Sequence, residues 1–288
     1  MAEQLIARPG RATAPVRPSR SRARPIPGLV VAVAAIAVVL FALPVVVLLG
    51  RAILGGVLTA ALTDPAIVQA LVLSLTTTAV SLVLTIVFGL PLAFVLARRR
   101  FRGSTLVEAI VDLPIVLPPS VAGLALLLAF GRRGLLGEPL DVVGIQLPFT
   151  TAAVILAQTF VSAPFFIRAA RAGFQGVDSD LEDAARVDGG DEWQVLRRIT
   201  LPLAAAPLAA GLVMAWARAM GEFGATIMFA GNIEGLTQTL PLVVYSEFQS
   251  SLDASVAAAA ILVLAALGVL VSVRIIHWRS VFAVGSVT

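Results

Sequence analysis

Six long apolar runs constrain this chain more than any other feature of its sequence. Each is long enough, at roughly 20 residues, for a helix to cross about 30 Å of hydrocarbon. Helices are expected because lipid offers the backbone no hydrogen-bond partners. The runs lie at residues 29–50, 68–97, 106–130, 149–171, 203–229 and 254–276. Prolines expected to bend these helices are Pro44, Pro91, Pro118, Pro119, Pro164 and Pro207. The sequence therefore predicts an all-α integral membrane protein with six transmembrane helices.

The composition excludes several other classes of protein. Apolar residues make up 59% of the 288 residues and charged residues 13%, too few to solvate the surface of a soluble domain. The chain has no cysteine and one histidine, and all 21 basic residues are arginine. A Walker A loop needs lysine, and zinc sites need Cys and His clusters. We expect no catalytic residue, metal site or cofactor here. ATP that drives the chain must be hydrolysed by another subunit, unless transport is passive or ion-coupled.

The arginines predict the orientation of the spans, because cytoplasmic flanks retain positive charge during insertion. Most lie before the first run, after the second, after the fourth and after the last, whereas the opposite connections hold only Arg51, Arg132 and Arg133. Both termini are therefore expected in the cytoplasm. Residues 1–27 are expected to form a disordered basic tail, residues 28–280 the six-span domain and residues 281–288 a C-terminal tail.

A polar segment at about 172–202, here called the coupling loop, separates the fourth and fifth runs. Its spacing resembles the EAA loop of ABC importer permeases, E-A-A-x3-G-x9-I-x-L-P, with aspartate at the first position. The resemblance implies docking on a cytoplasmic ATPase. The residues concerned are Glu182, Asp183, Ala184, Ala185, Gly189, Ile199, Leu201 and Pro202. From the helix signals alone, a tight helical hairpin on the cytoplasmic face would fit equally well.

Two short helices are expected within the coupling loop. Ser179 and Glu182 have the spacing of a capping box, so the first helix should begin at Ser179 and end at the glycines that follow residue 188. A helix of about nine residues is marginal in water and needs a partner surface. Asp191 should open the second helix, which would turn Trp193, Leu196 and Ile199 towards the bundle or the membrane interface.

Arg218 and Glu222 lie one helical turn apart within the fifth apolar run. Ionisable residues at membrane depth cost at least a few kcal/mol, so they should have a partner and face protein or water. The i,i+4 spacing supplies that partner, and Thr226 continues the same stripe. These three residues are candidates for a pore or gate, or for an ion pair that only braces the helices. Glu108 and Asp112, at the start of the third run, are expected at the membrane interface.

Several segments resemble the permease subunits of molybdate importers. They are residues 217–226 with their G-E-F-G core, 230–233, 237–242 and 118–123. Sulfate and thiosulfate permeases share the core, but residues 237–242 resemble the molybdate branch more closely. The resemblance covers residues 28–280 and implies a bundle like those of type I ABC importer permeases.

The resemblance also implies a function and a set of partners. The chain would be the membrane-spanning permease subunit of an ATP-driven importer for a tetrahedral oxyanion. Molybdate is the expected cargo, and sulfate, thiosulfate and tungstate are the alternatives. A second copy, cytoplasmic ABC ATPases and an extracytoplasmic oxyanion-binding protein would complete the assembly in the plasma membrane. Lipid surrounds such a chain, and no nucleic acid is expected. Rival classes are an ion-coupled carrier and an intramembrane enzyme, but Arg218 and Glu222 lack a nucleophile or ligand set beside them.

Overall fold

The computed structural model describes residues 27–99 and 101–284, with side chains up to residue 271. Every regular element within these residues is helical. The chain divides into two units between Val46 and Val47. The first helix, α1 (Gly28–Leu54), crosses that boundary, and all later helices belong to the second unit.

Short connections join the helices of the second unit. They are α2 (Val57–Thr63), α3 (Pro65–Arg98), α4 (Ser104–Val116), α5 (Pro119–Phe130), α6 (Gly137–Val142), α7 (Thr151–Gln175), α8 (Ser179–Val187), α9 (Glu192–Val195), α10 (Leu201–Leu203), α11 (Ala205–Met220), α12 (Gly224–Phe229), α13 (Leu240–Ser250) and α14 (Leu252–Val284). A π-helical turn, Leu196–Thr200, separates α9 from α10.

Four of the described helices are long and apolar enough to cross a membrane: α1, α3, α7 and the part of α14 at Leu252–Val271. Two further segments qualify only as bent pairs, namely α4 with α5, and Glu192–Leu203 with α11. If each bent pair is one span, the described residues provide the six spans that the sequence predicts.

The predicted third span, residues 106–130, is broken rather than continuous. Helix α4 ends at Val116 and α5 begins at Pro119, with an angle of 119° between them. Leu117 adopts an extended conformation, which the following proline favours. Pro118 and Pro119 supply no amide hydrogen, so the helical ladder cannot pass through them. The predicted proline bend is confirmed here, and the helix stops altogether.

The predicted fifth span, residues 203–229, is divided at two places. A 70° bend follows Leu203, and α11 then ends at Met220, so that three residues separate it from α12. Pro207 lies in the first turn of α11, where a missing amide costs no hydrogen bond. The bend therefore falls at Ala204 rather than at Pro207. Helices α1, α3 and α7 continue through their internal prolines.

The predicted basic tail, residues 1–27, lies outside the described residues apart from Pro27, and so do residues 285–288 of the predicted C-terminal tail. Helix α14 continues through residues 281–284, so the helix passes the expected domain boundary at 280.

Small residues let α3, α7 and α11 pack closely at the centre of the second unit. The core there includes Ala93, Phe166, Ala170, Phe174 and Ala215. A Cβ atom added at Gly173 would lie 2.8 Å from Cβ of Pro207 on α11, so that contact requires glycine. Close approach of this kind is typical of helices in membranes. Lipid provides no hydrophobic driving force between them, so they associate through van der Waals contacts that small residues permit.

Candidate functional site

Helix α8 forms the first part of the coupling loop, and its cap differs from the prediction. The N-cap is Asp178, whose carboxylate accepts a hydrogen bond from the Asp180 amide at 3.0 Å. The predicted capping box between Ser179 and Glu182 is therefore wrong. Aspartate caps the helix one residue earlier, and the Glu182 side chain is used for contacts inside the protein.

The remaining helix signals of the loop are confirmed. Helix α8 ends at Val187, and Gly189 has a φ of 88°, the left-handed conformation expected after a helix. The amide of Gly190 donates to the Ala185 carbonyl at 2.9 Å. Asp191 opens α9 with a capping box to Gln194, and its carboxylate accepts from the Gln194 amide at 2.8 Å.

The prediction that the second helix turns Trp193, Leu196 and Ile199 towards the bundle or the membrane interface is confirmed in part. Leu196 and Ile199 are half-buried, whereas Trp193 is 66% exposed. Val195 and Thr200 are the buried residues of this segment. Trp193 is thus available to a membrane interface or a partner, and it does not anchor the loop in this chain.

The two neighbouring acids of α8 differ in burial and in partners. The Asp183 side chain is 71% exposed and pairs with Arg186 at 2.7 Å. The Glu182 side chain is 7% exposed and accepts hydrogen bonds from Arg98 and from the Thr200 hydroxyl. Ala184 is exposed and Ala185 half-buried. Leu181 and Val187 add exposed apolar surface to the helix.

Arg186 also ties the two helices of the loop together. Its Nε and Nη2 donate to the Glu192 carboxylate at 2.9 and 3.1 Å. These hydrogen bonds hold the pKa of Glu192 below its ordinary value and raise the pKa of Arg186. Because both groups are exposed, the link is open to screening by salt.

The end of the motif leads directly into the bent fifth span. Ile199 belongs to the π-helical turn, and Leu201 and Pro202 form most of α10. The 70° bend follows at Ala204. The structure therefore places one end of the motif on a surface helix and the other at a change of direction in a membrane segment.

Arg218 and Glu222 form the predicted ion pair, with 2.5 Å between Nη1 and Oε2. The Glu222 side chain is fully buried and the Arg218 side chain is 26% exposed. Glu222 Oε1 also accepts from the Ala225 amide at 2.7 Å. Thr226 is fully buried, and its hydroxyl has no hydrogen-bond partner among the described residues. Because the helix stops after Met220, Thr226 does not continue the Arg218 stripe on a single helix as predicted.

The break in the third span and the break in the fifth span lie against each other. A Cβ atom added at Gly123 would lie 2.7 Å from the Ala225 carbonyl oxygen, and one added at Gly224 would lie 2.6 Å from Cβ of Pro119. Helices α5 and α12 therefore meet backbone to backbone. Two of the segments that carry the family resemblance, 118–123 and 217–226, are brought together in this way.

Glu108 and Asp112 each have a basic partner on α7. Glu108 pairs with Arg171 at 2.8 Å, and Asp112 pairs with Arg168 at 3.4 Å. The four side chains line a cleft of about 350 Å³. They attach α4, the first half of the broken third span, to the continuous fourth span.

A buried polar seam between α3 and α7 was not predicted. Gln158 donates to Thr78 at 3.3 Å and to the Ala219 carbonyl at 3.2 Å, and Thr159 donates to Ser81 at 3.1 Å. The hydroxyl of Ser74 accepts from the Leu240 amide at 2.7 Å. The signal was present in the sequence, because the i+4 and i+3 spacing of 74, 78, 81 and 85 places these hydroxyls on one helix face. Such hydrogen bonds help to hold membrane helices together, because an apolar side chain is about as well placed against lipid as against another helix.

The chain is similar to known transport proteins. Residues 86–277 match the family described as binding-protein-dependent transport system inner membrane component. The chain is 45% identical over 207 residues to the molybdenum transport system permease protein ModB of Mycobacterium tuberculosis, covering 72% of this chain and 78% of that protein. It is 41% identical over 218 residues to ModB of Escherichia coli K12, covering 75% and 94%. It is 39% identical over 188 residues to the sulfate transport system permease protein CysW of Synechococcus elongatus, covering 64% and 66%.

Solved structures share the fold. A chain from a bacterial ABC transporter that imports the acidic polysaccharide alginate superposes with a TM-score of 0.72 at 18% identity, covering 88% of this chain and 96% of that chain. A chain from the inward-facing MetNI methionine ABC transporter superposes with a TM-score of 0.54 at 22% identity, covering 77% and 96%.

Proposed function

The chain belongs to the family of inner membrane components of binding-protein-dependent transport systems, and from this membership we propose that it is the permease subunit of an ATP-driven molybdate importer. The chain itself is a transport subunit and not an enzyme. In this proposal it binds no cofactor and takes its energy from ATP hydrolysed by a partner.

The two-sided α8 is the observation that carries the ATP-driven mechanism. One side exposes Asp183 with Ala184 and the apolar Leu181, a surface suited to a groove on a partner protein. The other side buries Glu182 in the bundle. A helix that only completes a tight turn needs neither an exposed surface of this kind nor a buried carboxylate. We assign the exposed side to docking on a cytoplasmic ABC ATPase.

The assembly we propose contains two copies of this chain, a pair of ATPase subunits and an extracytoplasmic binding protein. The arginine distribution supports an orientation with both termini and the coupling loop in the cytoplasm. ATP-driven closure of the ATPase pair would move the coupling loop and change the angle between the spans, so that the pore opens outward to receive the anion.

Arg218 and Glu222 divide their roles in this proposal. Glu222 is fully buried and accepts a hydrogen bond from an amide in the first turn of α12, so it holds the start of that helix at the break in the fifth span. Arg218 is partly exposed and offers positive charge to an anion on the transport path. The ion pair orients the guanidinium, and Thr226 supports the same region from α12.

The ATP-driven mechanism is tested by reconstituting the complex in vesicles with its ATPase and binding protein. Asp183→Arg should abolish ATPase docking and molybdate uptake, because the reversed charge meets a surface built for a carboxylate. Asp183→Glu, which restores the usual residue of the EAA loop, should retain both. Full uptake by the Asp183→Arg protein, or by the wild-type chain without an ATPase, would contradict the proposal.

Sulfate is the second candidate cargo, because a sulfate permease is also among the relatives. Molybdate, tungstate and sulfate are all tetrahedral dianions, so Arg218 alone would not distinguish them. Competition of labelled molybdate uptake by tungstate and by sulfate ranks the three. Stronger competition by sulfate than by unlabelled molybdate would assign the chain to sulfate transport.

A further inference from the structure

Helix α8 buries a single side chain, and that side chain is a carboxylate. Of residues Ser179–Val187 only Glu182 is buried. A short amphipathic helix is normally attached to its protein through an apolar face. Here the only buried side-chain attachment is Glu182, and the other links are the exposed Arg186–Glu192 pair and the chain connections at the two ends.

Glu182 contacts two separate parts of the bundle through one oxygen. Its Oε1 accepts from Arg98 Nη2 and from the Thr200 hydroxyl, the latter at 2.7 Å. Arg98 is the last residue of α3, and Thr200 is the last residue of the π-helical turn. The carboxylate therefore joins α8 to the end of the second span and to the π-helical turn that leads into the fifth span.

Arg98 depends on this contact in turn. Its side chain is 22% exposed, and its Nε has no hydrogen-bond partner among the described residues. Among the described residues Glu182 is the only carboxylate within 4 Å of Arg98, so removing it would leave a mostly buried guanidinium without its ion-pair partner. The Arg98–Glu182 pair lines a cleft of about 510 Å³ together with Phe94 and Leu196. The ion pair is therefore not fully enclosed by packed side chains.

Thr200 lies in the segment that leads into the bend of the fifth span. Its hydroxyl also approaches the Val195 carbonyl at 3.5 Å within the π-helical turn, and the 70° bend follows at Ala204. Such turns inside helices are often found at functional positions. A force applied to Thr200 therefore acts close to a joint between two helical segments.

We propose that Glu182 is a positioning residue that transmits movement of α8 to the second and fifth spans. This inference rests on the proposed function, in which α8 docks on an ATPase. Asp183 faces the partner and Glu182 holds the bundle, so a displacement of α8 moves the end of α3 and the π-helical turn together. Without Glu182, the ATPase still docks and hydrolyses ATP, but hydrolysis is no longer coupled to transport.

The experiment uses the full complex in vesicles, with molybdate uptake and ATP hydrolysis measured on the same sample. Glu182→Ala should assemble normally and lower the molybdate taken up per ATP at least tenfold. Glu182→Gln should lower it less, about threefold, because its amide oxygen still accepts from Thr200. The pair Arg98→Glu with Glu182→Arg should recover part of the loss that Arg98→Glu alone causes. Asp180→Asn, an exposed acid of the same helix, is the matched control and should leave the ratio unchanged.

Two results would overturn the proposal. One is an unchanged uptake per ATP in Glu182→Ala, and the other is loss of the complex in both Glu182→Ala and Glu182→Gln, which would assign the carboxylate to folding. If only Glu182→Ala fails to assemble, the ratio measured for Glu182→Gln decides. Transport by the wild-type chain without an ATPase would instead overturn the proposed function, and that control precedes every variant.

Discussion

At the scale of single residues, charged side chains and glycines contribute to this chain in different ways. The adjacent carboxylates Glu182 and Asp183 show how burial decides their contacts. Glu182 is buried and binds groups inside the protein, whereas Asp183 lies on the surface. Glycines are placed where helices must touch, as at Gly123 and Gly224. The sequence predicted the Arg218–Glu222 pair from its spacing, but it predicted Glu182 only as part of a helix cap and of the ATPase-coupling loop, without its contacts to Arg98 and Thr200. The partners of Glu182 lie 84 and 18 residues away, and no local pattern reports them.

Gly123→Ala should destabilise the protein by about 1–3 kcal/mol, as expected for overpacking. The added methyl group would lie 2.7 Å from a backbone oxygen of α12, which cannot move aside as a side chain could. Thermal unfolding of the purified protein in detergent measures the effect. Gly50→Ala, where nothing lies within 4 Å, is the control and should not lower the melting temperature. Equal melting temperatures for both variants would show that α5 and α12 separate easily.

Arg218→Ala should reduce molybdate uptake at least tenfold while the complex still assembles. The variant removes the partly exposed cation but keeps the bond from Glu222 to the Ala225 amide. The loss of a buried partner should also lower stability by about 3 kcal/mol.

The double variant Arg218→Ala with Glu222→Gln separates the two roles of the pair, because the amide oxygen of glutamine can still accept from the Ala225 amide. It removes the uncompensated buried charge, so it should regain stability in thermal unfolding relative to Arg218→Ala. Uptake should stay low if Arg218 serves the transport path. Recovery of uptake together with stability would show that the pair only braces the helices.

At the scale of helices, hydropathy predicted where membrane segments lie better than it predicted their continuity. Runs 68–97 and 149–171 correspond to the continuous helices α3 and α7. Run 106–130 is equally apolar, yet it is broken by 119°. Hydropathy measures solvent preference and contains no information on hydrogen-bond continuity. Proline gave a partial signal at Pro118–Pro119, but no proline marks the stop after Met220, where Glu222 accepts a hydrogen bond from the Ala225 amide of the next helix.

The coupling loop should become more dynamic as the pH falls. Hydrogen bonds from Arg186 and the nearby charge of Arg99 lower the pKa of Glu192, so the closed loop binds a proton less readily than the open loop. The link is therefore complete above the ordinary pKa of glutamate and is lost as the pH falls through the lowered value. Asp183, which also pairs with Arg186, limits the loss. Hydrogen exchange of α8 and α9 amides, corrected for intrinsic rates, measures the opening.

Glu192→Gln is the matched control for this pH effect. It removes the titrating group and keeps the side chain's shape, so its loop should show a much smaller change between neutral and acidic pH. A high salt concentration should shift the wild-type loop towards the behaviour of the variant. The same pH response in both proteins would contradict the role of Glu192.

At the scale of the whole molecule, the sequence predicted the class of protein and the number of apolar segments. Those properties follow from composition and run length, which are sums over many residues. The angles between half-helices and the polar seam between α3 and α7 were not predicted, because they depend on which surfaces meet. Of the predicted site, the structure brings Asp183 to an exposed helix and Glu222 to a buried break. Their roles in docking and transport stay predictions.

Single cysteines can map the orientation without background, because the natural chain has none. A cysteine at Asp188 in the coupling loop should be protected from a membrane-impermeant thiol reagent in intact cells. A cysteine at Val143, in the exposed connection between α6 and α7, should react. Permeabilised cells should label both positions. Reaction at Asp188 from outside would invert the proposed topology and exclude docking on a cytoplasmic ATPase.

The bare contact between Gly123 and the α12 backbone has a mechanical consequence. At Gly123 no side chain of α5 separates the two helices, although Leu126 and Phe229 pack elsewhere in the same interface, so sliding or rolling of one helix against the other would bring backbone atoms into collision. They must travel as one stiff body that contains parts of two spans. Any change of shape in this region is then confined to the flanking joints at Leu117–Pro118 and Gly221–Phe223, and locking either joint should arrest the cycle without touching the cargo.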